Sequence, residues 1–279
     1  MESYDILALA QMLTRWVHVF AAILWIGQTF LFHLMERHLV AVPSEKAVGR
    51  MWMLHGGGYY QVEKRNFAPG MPEQLVWFKW EAATTWISGA ILLGLTYHAG
   101  GLMAPPEMNP GIAAGVGTGA IVFGWVIYDM LVRSPLGARP VLFAVIGLIL
   151  ILLLHNGLTQ VMSLRAAYIH VGAVIGTIMA ANVWMRILPA QRKMLEAVRS
   201  GKELDRSIAA TGPLRSRHNS YLVVPLVLIM ISNHYPTISY GNDHSTLILG
   251  VVVLVGWIAA RWLLGPGREA SPSGTSSLS

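Results

Sequence analysis

Seven apolar stretches punctuate the chain, 15 to 23 residues long before their polar ends are added, against the roughly 20 residues of helix that a bilayer core demands. They run Trp16–Met35, Thr84–Ala99, Ile112–Leu131, Val141–Asn156, Ala166–Leu188, Tyr221–Tyr235 and Thr246–Leu264. Backbone in hydrocarbon must satisfy its own hydrogen bonds, so stretches of this length read as helices. The pattern predicts an all-α integral membrane protein, a bundle of about seven transmembrane helices. Composition agrees: 54% of the 279 residues are hydrophobic and 12% charged, against about 25% charged in soluble domains. Ile6–Leu13 is apolar too. No Lys or Arg precedes it and no small-residue cleavage site follows, so it reads as an extension of the first span or a surface segment rather than a signal peptide.

Charge orients the bundle. Eighteen of the 20 Lys and Arg fall on one side, in the loops after spans one, three and five and after the last span. By the positive-inside rule the N-terminus is outside and the C-terminus cytoplasmic, in a bacterial-type inner membrane. The same rule accounts for the net charge of +6, so no nucleic-acid partner is read from it; the partner is the lipid bilayer. The helical domain covers residues 1–265. Its cytoplasmic loop over residues 36–78 is longer than a plain connector and is expected to hold structure of its own. Residues 266–279 are rich in Gly, Ser and Pro and are expected to be a disordered tail.

Ionisable residues inside spans are costly and normally face a bundle interior or a cofactor. Arg15 and Arg165 are the two basic residues on the outer side, and each stands shortly before a histidine, His18 and His170. The chain has no cysteine, which excludes disulfides, thiolate metal sites and covalent haem attachment. Two histidines from facing helices with two arginines at the membrane edge fit a b-type haem. His18 and His170 are the expected ligands of the haem iron, and Arg15 and Arg165 hold the propionates. His234 is a reserve ligand or proton carrier. His98, His155 and His244 read as interfacial.

On the cytoplasmic side His55 precedes Gly56, Gly57, Gly58 and Tyr59. Three glycines permit close backbone approach, so this loop is the candidate substrate cradle. Lys79 and Glu81 stand at the inner mouth of span two, where such a pair is most often interfacial. Glu81, His55 and His234 are the catalytic candidates. Gly172, Gly176 and Ala180 form a small-residue stripe for close helix packing. Pro225 interrupts span six, and Asn182 puts an amide deep in span five. No nucleophile elbow, P-loop, dinucleotide fingerprint or HExxH is present.

The strings RWVHVFAAILWIGQTF, HGGGYYQVEK, KWEAATTWISG, RAAYIHVGAVIGTIMAANVW and HNSYLVVPLVLIMISNHYP resemble the membrane domain of the membrane-bound urate hydroxylases, the urate oxidase N-terminal domain family. The likeness runs from about Thr14 to Trp262. It implies oxidation of urate to 5-hydroxyisourate, with electrons passed to a cytochrome c and the respiratory chain. Typical members of that family carry a fused C-terminal cytochrome c domain. This sequence has no CxxCH, so the resemblance implies an acceptor on a separate polypeptide. Two other functions fit the same residues: a haem-bearing anchor for a soluble oxidoreductase, and an anion permease.

Overall fold

The computed structural model describes residues 3–43, 47–67, 70 and 72–265. The tail over 266–279 lies outside the described residues, so the expectation of disorder there stands untouched. The described chain is mostly helical. Helix α1 is Ser3–His38, α2 Trp80–Leu93, α3 Pro110–Arg133, α4 Pro140–Leu158, α5 Leu164–Ala181, α6 Leu188–Arg199, α7 Arg206–Ile231 and α8 Ser245–Leu264. A π-helical turn over Gly94–His98 prolongs α2, and another over Asn182–Ile187 joins α5 to α6 without a break. The result is seven rods, one over each apolar stretch.

Five rods are long and apolar enough to cross a bilayer by length and composition. The two others differ for visible reasons. Helix α2 has only 14 residues before its π turn. The first half of α7 carries Arg206, Arg215 and Arg217. Ile6–Leu13 proves to be a continuous extension of α1.

One part of the all-α expectation is corrected. Residues in the 36–78 loop form an antiparallel hairpin, β1 Ala47–His55 with β2 Gly58–Arg65. Val, Trp and Tyr favour the pleated backbone. The two-residue turn is Gly56–Gly57, both at positive φ (60° and 78°), as a primed hairpin turn requires. Lys64 pairs with Glu36 at the end of α1, tying the hairpin to the bundle. On the hairpin, the guanidiniums of Arg65 and Arg50 hold the Glu63 carboxyl below the usual carboxylate range.

The polarity of the bundle is inverted relative to a water-soluble one. Trp16, Phe123 and Ile258 are each more than 60% exposed. Ser88, Asp129, His155, His170, Asn182, Arg215 and Asn219 are buried. Such a surface suits hydrocarbon, and such an interior confines polar groups to partners inside the protein. Helix α5 is the axis, with a nearly unbroken buried run from Ala166 to Ile175. Helix α1 stands at the periphery against α2, with one link to α7 through His33 Nε2 and Ser220 Oγ at 2.7 Å.

Small residues let the rods approach, as the stripe on α5 predicts. A Cβ at Gly172 would lie 2.6 Å from the Met230 side chain on α7. Pro225, buried in α7, is met by Gly256 of α8, where an added Cβ would lie 2.7 Å from the proline backbone nitrogen. Backbone cannot yield cheaply, and overpacking of this kind costs about 1–3 kcal/mol. Gly256→Ala is therefore expected to lower the thermal midpoint of the purified protein. Gly27→Ala, with nothing within 4 Å of the added methyl, is expected to leave it unchanged or raise it. Equal midpoints for the two variants contradict the packing.

Candidate functional site

Two polar clusters stand inside the bundle, one toward the hairpin and one toward the opposite end. The hairpin-end cluster is built on Asp129, one turn before the end of α3 and the sole carboxylate within the seven apolar stretches. Arg186, on the π turn, donates Nε to Oδ1 at 2.8 Å and Nη2 to Oδ2. Arg215, on α7 and only 2% exposed, donates Nη2 to Oδ1 at 2.7 Å and Nη1 to Asn182 Oδ1 at 3.2 Å. Arg133 stands farther out at 3.7 Å.

The pattern continues inward. Asn182 Nδ2 donates to the Tyr128 hydroxyl at 3.0 Å and to Asn219 Oδ1 at 2.9 Å. Asn219 donates to the Met179 carbonyl at 3.0 Å. The Tyr128 hydroxyl meets His218 Nδ1 at 2.8 Å, and the imidazole stacks on Phe143. Asn182 and Arg186 both belong to the π turn, a distortion that recurs where a helix aims side chains at a site. Asp205 caps α7 close by. Its hydrogen bonds with the Ser207 hydroxyl, and then with backbone N–H groups, hold its carboxyl below the usual range.

The opposite cluster gathers four of the residues singled out above with others that were not. His170 is 1% exposed. Its Nδ1 is 2.7 Å from the Ala166 carbonyl, which fixes the proton there and leaves the lone pair on Nε2. A Cβ at Gly117 of α3 would fall 2.7 Å from that Nε2. Tyr97 sets its ring edge-on to His170, with centroids 6.0 Å apart, and His98 lies within electrostatic range. Arg165 donates Nε to Asn233 Oδ1 at 3.1 Å. Arg165 also reaches the Tyr97 hydroxyl, with Arg15 in electrostatic range of it.

His18 repeats the tautomer of His170. Its Nδ1 is 2.8 Å from the Thr85 carbonyl and 3.2 Å from Ser88 Oγ. Gly89 makes room for the ring, since a Cβ there would lie 2.9 Å from Cε1. Among the described residues no hydrogen bond reaches Nε2 of either histidine. The two imidazoles seat against different helices, His18 on α2 and His170 on α3. Gly89 and Tyr97, which mark their heights, are eight residues apart on the α2 rod, about 12 Å.

The other singled-out residues are scattered. His234 is exposed, next to the Asn233 that holds Arg165. Glu81 accepts from Gln28 Nε2 of α1 at 3.1 Å, while Lys79 lies over the Trp80 ring. His55, Gly56, Gly57 and Tyr59 form the exposed tip of the hairpin, with Tyr59 79% exposed and nothing within 4 Å of a Cβ at any of the three glycines. The interfacial reading of His155 is corrected. It is fully buried, bonded through Nδ1 to Thr246 Oγ1 at 2.9 Å and set edge-on to Tyr168.

The reading of the sequence missed Asp129, and with it the roles of Arg186 and Arg215, which were counted only as loop charges. The signal was present: a lone carboxylate in an apolar helix invites the same argument as a lone histidine.

These features define a mostly helical protein, five of whose rods are long and apolar enough to cross a membrane, with charged and imidazole side chains held between its rods. The family model described as urate oxidase N-terminal matches residues 4–271, and the chain belongs to that family. No curated protein and no solved structure matches the chain.

Removing one partner of a buried ion pair leaves the others uncompensated, at about 3–5 kcal/mol. Asp129→Ala is expected to destabilise the purified protein by that order in a denaturant titration. Arg133→Gln removes an exposed contact worth about 1 kcal/mol or less and is expected to leave the midpoint nearly unchanged. A tolerated Asp129→Ala contradicts the view of this carboxylate as the joint of three rods.

Proposed function

We propose that the chain is a membrane redox protein that oxidises urate to 5-hydroxyisourate, with its N-terminus outside and its C-terminus in the cytoplasm. The electrons pass to a cytochrome c or another component of the respiratory chain. Membership of the urate oxidase N-terminal family over residues 4–271 carries this reading. Overall the reaction adds one water to urate and releases two electrons and two protons, so it needs an electron acceptor and groups that take protons.

Haem b is the cofactor proposed, and the chain offers imidazole and guanidinium for it. His18 and His170, however, stand about 12 Å apart in height along the α2 rod and do not face one iron from two sides. His18 and His170 each pin Nδ1–H on a backbone carbonyl and keep Nε2 bare, the tautomer a metal-ligating histidine needs. We assign each as a candidate ligand of a haem iron, with Arg15 and Arg165, at the height of His170, on the propionates. When bound, haem supplies the ability to take electrons singly and pass them on. Arg165, steadied by Asn233, fixes an anionic group at the membrane edge. Glu81 and His55 at the hairpin end and His234 at the far end are the groups assigned to hold protons.

The visible spectrum of the purified protein tests the cofactor. The expected result is a Soret band of a b-type haem that His18→Ala or His170→Ala abolishes or shifts. A band unchanged in both variants overturns the ligand assignment, and its absence from the wild type overturns the haem.

A further inference from the structure

The hairpin-end cluster opens into a cleft of about 570 Å³ between the end of α3, α6 and the start of α7. Its polar lining is Arg133, Arg186, Lys193, Arg215, Ser207 and Thr211; no carboxylate lines it. Asp129 sits behind the arginines, and its two oxygens are already shared among Arg133, Arg186 and Arg215. Lys193 adds a fourth cation and has no acidic partner among the described residues. The hydroxyl hydrogens are turned away, Ser207 Oγ toward Asp205 and Thr211 Oγ1 toward the Ser207 carbonyl. What faces the cleft is therefore cationic N–H.

Four cations stand against Asp129, with Asp205 just beyond the lining at Ser207, so the cleft carries an excess of positive charge that favours an anion. The cluster is also rigid. Arg215 is buried and held at both ends of its fork, and Arg186 is fixed by Asp129 and by the face of Trp125, 5.7 Å from the ring centroid. Arg215 is engaged behind the cleft, but Arg186 keeps Nη1 without an acceptor among the described residues, so Arg186, Arg133 and Lys193 can present N–H groups to a delocalised anion. The volume and the apolar walls suit a ring rather than a bare inorganic ion. The hairpin tip, by contrast, is an exposed turn without walls.

We propose that this cleft, and not the glycine turn, binds the anionic substrate, a planar heterocyclic monoanion. The choice of urate as that anion rests on the reading given under Proposed function.

Equilibrium binding of radiolabelled urate to the full chain in detergent tests it. Saturable binding is expected, weakened about tenfold or more in Lys193→Gln and in Arg186→Gln. Arg261→Gln, which removes a guanidinium bonded to the Gly265 carbonyl at the end of its own helix, is expected to bind like the wild type. Lys193 is exposed and unpaired, so its variant reports on the cleft even if Arg186→Gln loses stability. Three results each overturn the assignment: no saturable urate binding by the wild type, binding unchanged in both cleft variants, or equal displacement by inorganic phosphate or by phosphatidylglycerol micelles. Urate bound in the cleft without reduction of any acceptor leaves the cleft standing and removes the redox reading. Urate oxidised normally by both cleft variants does the reverse.

Discussion

Asp129 is the joint on which the hairpin half of the bundle depends. It brings Arg186 and Arg215 to one carboxylate, and so ties α3, the continuous α5–α6 rod and α7 together. The buried members of this cluster, Asp129 and Arg215, are paired within the protein, since leaving one of them unpaired would cost heavily. Arg215 passes the constraint on to Asn182, which fixes Tyr128 and Asn219 in turn. Close packing of small residues on α5 and α8 permits the approach, but the polar pattern selects its register.

The two clusters divide the work proposed for the chain. His170 and two arginines stand at the end away from the hairpin, His18 lies lower along α2, and an excess of cations stands at the hairpin end. A substrate anion held at one and a redox group at the other places the buried rods α3 and α5 between them. That separation gives the inverted polarity of the interior a purpose beyond stability, because charge and electrons are both kept from the lipid.

Much of the fold was legible because hydrocarbon thickness leaves so little choice. Apolar stretches of about 20 residues became rods, and the run of glycines in α5 became a helix contact, as spacing alone predicts. The hairpin was less legible. Its Trp52, Leu54, Tyr59 and Tyr60 are exposed, so no clean alternation of apolar and polar residues marks it, and the glycines read as a cradle when they form a turn. His155 read as interfacial because its place at the end of α4 says nothing of Thr246 on α8. The Asp129 cluster was hidden for a similar reason. Its partners lie 57 and 86 residues away in sequence, and an arginine near a span end looks like any other positive-inside charge.

The central claim is that this chain draws electrons from urate, and anaerobic mixing of the purified protein with urate and an added oxidised cytochrome c tests it most directly. The account predicts that urate reduces the cytochrome only when the chain is present, with about two equivalents of cytochrome reduced for each urate consumed and 5-hydroxyisourate as the product. Urate left intact in the presence of a fully folded protein, with the cytochrome still oxidised, contradicts it.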